Sequence, residues 1–123
     1  MPSERRERGD RGELIAARYI QSLGWQIEAT NVTYRCGELD IVARDGTSGQ
    51  VVFIEVRARA AGSIVRPEQS VTYRKQRRLS RAARRYFQHA CSPRDSCRFD
   101  VVGVCLGRMR VLRHIRGAFD ISD

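Results

Sequence analysis

Between Gly37 and Ala60 the sequence GELDIVARDGTSGQVVFIEVRARA sets Glu38, Asp40, Glu55 and Arg57 among valines and isoleucines. Carboxylates on neighbouring strands can do one of two things. They can hold a hard divalent cation, since Mg²⁺ binds through one or two carboxylates, waters and phosphate oxygens. They can instead be neutralised by arginines, with Arg57 beside Glu38 and Arg35, Arg44 and Arg59 near by. Charge alone does not choose, because exposed charge clusters are commonly just solvated.

The elements that must position these groups are two strands joined by a turn centred between Thr47 and Ser48. In that register Asp40 faces Glu55, Val42 faces Phe53 and Glu38 faces Arg57. On the other side Leu39 faces Val56, Ile41 faces Ile54 and Ala43 faces Val52. Opposed residues share a face, so one face is apolar and the other gathers the charged groups at one end. A slip of one residue would mix the faces. Two opposed carboxylates repel, so something must offset them.

The remaining chain supplies a single α/β domain. Residues 1–11 read as a flexible tail and residues 12–123 as the domain. Leu14, Ala17, Tyr19, Ile20 and Leu23 form a helical stripe that Gly24 stops. WQIEATNVTY reads as a strand with Trp25, Ile27 and Ala29 on one face. A loop, SIVRPEQ, leads into a helix from about Glu68 to Ala90. CRFDVVGVCL and RMRVLRHI are the last strands. The order α-β-β-β-α-β-β predicts a mixed sheet flanked by helices.

Net charge is +9 over 123 residues, and the excess of cations draws polyanions. Lys75 is the only lysine. It falls on the apolar stripe Val71, Leu79, Ala82, Tyr86, while Arg74, Arg77, Arg78, Arg81, Arg84 and Arg85 cover the flanks and could grip a nucleic-acid backbone. Lys75 could contact a phosphate, or its stem could snorkel at the edge of the core. Cys36, Cys91, Cys97 and Cys105 show no C-x-x-C pair and read as reduced packing residues. No stretch is apolar enough to span a bilayer, and MPSERRERGDRGE lacks a secretory signal's apolar run. The expected location is the cytoplasm.

Asp40, a spacer, then Glu55-Val56-Arg57 resembles the D…(D/E)-x-K signature of restriction-endonuclease-like nucleases. GELIAARYIQSLGW, GELDIVARDG, VVFIEVRAR, VTYRKQRRL, RFDVVGV and HIRGAF follow in the order of the YraN family. These are small bacterial proteins that are also similar to archaeal Holliday-junction resolvases. The resemblance runs from about Gly12 to Phe119 and implies a restriction-endonuclease-like core. It implies that Asp40 and Glu55 bind Mg²⁺ or Mn²⁺, with the Val56 carbonyl and Glu13 completing the metal set. Arg57 stands where the pattern usually has lysine. Arginine can stabilise charge on a phosphate but cannot serve as a base. Asp40, Glu55, Arg57 and Lys75 are the candidate catalytic residues, with Lys75 a candidate for the displaced lysine's role.

The implied activity is metal-dependent hydrolysis of phosphodiester bonds in DNA, branched or recombination-derived substrates included. A homodimer would suit a two-fold substrate. The alternative is a non-catalytic nucleic-acid binder that keeps the nuclease fold. Acids facing a polyanion favour the first, since a phosphate binder gains nothing from them unless a metal lies between. Tyr34, Tyr73 and Tyr86 could stack on bases or pack. Gln69 and Tyr73 form Q-x-x-x-Y, a spacing seen in some related nucleases and more often met by chance. Asp100 on a buried strand needs a hydrogen-bond partner such as Arg98. His89 and His114 read as surface or edge residues.

Overall fold

The computed structural model describes residues 3–60 and 66–121. Five strands form one sheet, and a helix covers each face. The elements are α1 (Glu4–Ser22), β1 (Gln26–Tyr34), β2 (Gly37–Arg44), β3 (Val51–Arg59), a 3₁₀ turn (Pro67–Ser70), α2 (Tyr73–Ala90), β4 (Cys97–Cys105) and β5 (Arg110–Phe119). Strand order follows chain order. Only β3 and β4 run parallel, and α2 lies in the crossover between them. The expected α-β-β-β-α-β-β order is therefore observed. The loop expected at 63–69 lies partly outside the described residues.

Helix α1 starts at Glu4, so residues 4–11 are helical rather than a tail. The hydroxyl of Ser3 accepts the Arg6 N–H at 3.2 Å and satisfies a donor that an uncapped helix leaves open. Gly12 lets this helix settle on the sheet: a Cβ there would meet the Ala58 Cβ at 2.6 Å. The helix ends at Ser22, and Gly24 just beyond takes a φ of +82° that favours glycine. Ala16 and Ile20 then pack on Ile41, Ala43, Val52 and Ile54.

Helix α2 begins at Tyr73, not near Glu68. Val71 is extended, and Thr72 caps the helix by accepting the Lys75 N–H at 3.2 Å. Val71, Leu79, Ala82 and Ala83 cover Leu39, Val42, Phe53 and Phe99 on the second face. Burying each of those phenylalanines contributes about 1.5–3 kcal/mol. Gly37 permits the close approach, because a Cβ there would lie 2.8 Å from the Arg78 carbonyl oxygen. Strand β5 runs on to Phe119, beyond the expected Ile115.

Two side chains lie on the face opposite to the one expected. The β1–β2 register shifts between Ile27 and Ala29, so Ala29 joins the α2 side while Trp25 and Ile27 stay with α1. Leu39 also packs with α2, although Ile41 and Ala43 pack with α1. All four cysteines are free thiols. Among the described residues no helix is long and apolar enough to cross a membrane.

Candidate metal centre

The β2–β3 hairpin holds the expected register over Ile41–Ile54, Val42–Phe53 and Ala43–Val52. Pairing then stops, short of the expected Asp40–Glu55, Leu39–Val56 and Glu38–Arg57 pairs. Opposed carboxylates disfavour a closed ladder at that point. Opposite Asp40, β1 contributes Asn31 with φ +51°, a left-handed residue within the strand. The strands part, and Asp40 Oδ2 accepts the Val56 N–H at 2.9 Å across the gap. The gap lets acids from different elements meet.

Glu13 reaches it from α1 and stands beside Asp40 and Asn31. Glu55 reaches it from β3 and stands beside Asp40 on the same cavity wall. Burial and then the Asp40 charge push the Glu13 carboxyl up to about 7. The same two causes raise Glu55 well above the usual carboxylate range, with Lys75 and Arg57 pulling partly the other way. Glu55 is only 6% exposed, and its Oε2 is buried without a hydrogen-bond partner among the described residues. Glu38 joins the group: oxygens of Glu13, Glu38 and Asp40 lie within 4.8 Å of one another.

A cavity of about 580 Å³ opens over these acids, lined by Gly9, Glu13, Asp40, Glu55, Val56 and Arg57. Arg57 donates from Nη2 to the Ser70 carbonyl at 3.2 Å, while its Nε is buried without a partner. Lys75 is half-buried on α2 and its charge acts on Glu55, but it is not among the residues lining the cavity. Arg74, Arg77, Arg78, Arg81, Arg84 and Arg85 are all exposed on α2.

Other sequence candidates fall elsewhere. Tyr86 packs edge-on against Phe53, and Tyr34 lies under the Arg85 guanidinium. Tyr73 and Gln69 are exposed, as is His89. Asp100 is fully buried and binds Arg98 as anticipated, with Nε donating at 3.0 Å. His114 is a correction: its side chain is 6% exposed, with Nε2 at 2.8 Å from Asp100 and Nδ1 at 2.9 Å from the Tyr19 hydroxyl. A buried aspartate demands several donors, which was the available signal for a second partner. Asn31 in a β-run was likewise a signal for a left-handed break.

Residues 12–104, which hold every one of these acids, match the model of the uncharacterised protein family UPF0102. The chain belongs to that family. The YraN resemblance points to the same family. A UPF0102 protein of Myxococcus xanthus is 45% identical over 122 residues, covering 97% of this chain and 94% of the relative. One from Desulforamulus reducens is 40% identical, covering 96% and 99%. One from Moorella thermoacetica is 44% identical, covering 97% and 100%.

This UPF0102 chain offers a donor set that fits a hard divalent cation. It consists of carboxylate oxygens, two of them on groups whose ionisation is suppressed by burial and mutual repulsion, and a buried Oε2 with no partner among the described residues. A pH dependence follows. With Glu13 near 7 in the fold and near 4.5 when unfolded, the native state holds an extra proton between those values. Stability therefore falls as pH rises through that window. Without divalent cation the melting temperature should drop between pH 5 and pH 7.5. Mn²⁺ should restore it at pH 7.5 and do little at pH 5, because ligands must be deprotonated to bind. Glu13→Gln should make the profile shallower, with the raised Glu55 supplying the remaining slope. An equal Mn²⁺ effect at both pH values would count against the site.

Proposed function

We propose that this protein is a metal-dependent nuclease that hydrolyses phosphodiester bonds in DNA, with branched or recombination-derived DNA among its substrates. One observation supports this most: Glu13, Asp40 and Glu55 converge in a cavity on an otherwise basic protein. Acids gathered beside a polyanion site are repulsive unless a cation neutralises them. Glu13, Asp40 and Glu55, with the Val56 carbonyl, would hold Mg²⁺ or Mn²⁺. When bound, the cation would lower the pKa of its water and neutralise charge on the phosphate.

The chain's own residues supply the rest. Arg57, on the cavity wall, can stabilise negative charge on the transferring phosphate. It cannot remove a proton. Lys75, whose charge acts on Glu55, is the candidate for a proton or phosphate contact. The exposed α2 arginines would hold the backbone without reading sequence. The cytoplasm and a homodimer on two-fold DNA complete the reading.

A non-catalytic nucleic-acid binder is the second reading, favoured by arginine at position 57. Cleavage assays separate the two. Single-stranded, duplex and branched DNA are each incubated with Mg²⁺, Mn²⁺ or chelator. Cation-dependent cleavage of at least one substrate is expected, and Lys75→Arg should slow it if Lys75 moves a proton. Binding without cleavage under every condition would leave the second reading.

A further inference from the structure

The β4–β5 hairpin carries features that the fold does not explain. From Val101 to Phe119 there is no acidic residue, while Arg108, Arg110, Arg113 and Arg116 are all present. Arg108 and Arg110 are exposed and flank Met109, which is 66% exposed. Leu112 is 56% exposed, beside the point where the β4–β5 register shifts. Met109 also holds φ +51°, a left-handed conformation that strains a residue with a Cβ. Glycine or asparagine would ordinarily stand there. A strained, solvent-exposed methionine between two arginines gains nothing from packing.

The turn is fastened to the cavity. The Leu106 N–H donates to the Arg59 carbonyl at 3.0 Å, and Met109 N–H donates back to the Leu106 carbonyl at 3.2 Å. Leu106 and Arg59 both line the cavity that holds the acids. Met109 is therefore hydrogen-bonded through its backbone to Leu106, a residue of the cavity wall.

We propose that the Leu106–Arg110 turn is a wedge for nucleic acid. Arg108 and Arg110 grip phosphates, and Met109 packs against a base at an interrupted stack. Charge complementarity selects the polyanion. An apolar side chain on a basic turn selects the place where bases are already parted, because inserting into an intact stack requires unstacking it. The substrate class is DNA with a broken stack, such as a gap or a branch, over continuous duplex. This deepens the nuclease reading and rests on it for the cavity's role.

The test is binding of the full chain, in chelator, to a continuous duplex and to the same duplex with a central gap flanked by a fluorescent base analogue. Wild type should bind the gapped duplex roughly tenfold more tightly and change the analogue's fluorescence. Met109→Ala should bring the preference close to one and remove the fluorescence change, with continuous-duplex affinity kept. Arg108→Ala with Arg110→Ala should weaken both duplexes alike. Met109→Gly should lose the preference and melt at or above the wild-type temperature, because glycine relieves the backbone. Equal binding of both duplexes by wild type, a preference that survives Met109→Ala, or a lower melting temperature in Met109→Gly would overturn the wedge. Cleavage with no gap preference sinks the wedge and spares the nuclease. Gap preference with no cleavage under Mg²⁺ or Mn²⁺ does the reverse. No binding to either duplex sinks both.

Discussion

Glu55→Gln should remove cation-dependent cleavage and, in the cation-free protein at pH 8, raise the melting temperature. The two effects share one cause. Glu55 is 6% exposed, and burial and Asp40 both resist its ionisation. At pH 8 the fold has to carry the strain of gathering acids together. A glutamine amide removes the charge and can donate to the Asp40 carboxylate, as a protonated glutamate would. For a chain of this size about 1 kcal/mol of relief corresponds to a rise of roughly 3–6 °C. Cleavage should fall by at least about a hundredfold, since removing groups that only orient metal ligands already costs about 10- to 100-fold.

Asp40→Asn should behave the same way, because its amide oxygen can still accept the Val56 N–H. Asp40→Ala should lose cleavage and stability together, since the N–H that Asp40 now binds at 2.9 Å is left without its partner. Circular dichroism melts and cleavage assays read the pair. Lost cleavage with a lower melting temperature in both amide variants would make the acids structural. Retained cleavage in both would end the metal reading.

Much of this site was legible in the sequence because period-two alternation fixes register wherever one face is apolar and the other carries charge. Ile41, Val42 and Ala43 could pair with Ile54, Phe53 and Val52 in only one way without mixing faces. Alternation does not show where pairing ends. The ladder opens at Asp40 because the Asp40 and Glu55 carboxylates repel, which the hairpin pattern carries, and because Asn31 on a third strand turns left-handed, which it does not. The same break sends Leu39 to the α2 side. Glu38 was placed correctly beside Asp40, yet its approach to Glu13 depends on how α1 settles over Gly12 and Ala58. Helix starts were missed for a local reason. Caps at Ser3 and Thr72 set them, not the apolar stripe from which the helices were read.

Asp100→Ala should cost about 3–5 kcal/mol, the usual result of removing one partner from a buried ionic cluster, and lower the melting temperature by roughly 10–25 °C. Asp100 is fully buried and takes Arg98 Nε at 3.0 Å, His114 Nε2 at 2.8 Å and the Gly117 N–H at 3.1 Å. A neutral His114 that donates from Nε2 keeps Nδ1 free to accept the Tyr19 hydroxyl, so one tautomer satisfies both neighbours. Without the carboxylate, Arg98 keeps Asp45 at 2.9 Å, but His114 and Gly117 lose their acceptor. Asp100→Asn should also be destabilising, because its amide donors would meet the donors already there. Burial works against the Asp100 charge, and the bonds from His114, Arg98 and Gly117 outweigh it and hold its pKa below the ordinary 3.8. Its contribution is therefore complete above pH 3.8 and fades only in stronger acid. The deficit of Asp100→Ala should be constant from pH 5 to 8 and narrow only below 3.8. Cleavage measured well below the variant's melting temperature should stay within a few-fold of wild type. Asp100 ties α1 and β5 to the sheet through Tyr19 and His114, and it does not line the cavity. A large loss of cleavage in a folded Asp100→Asn would instead put this cluster in the reaction.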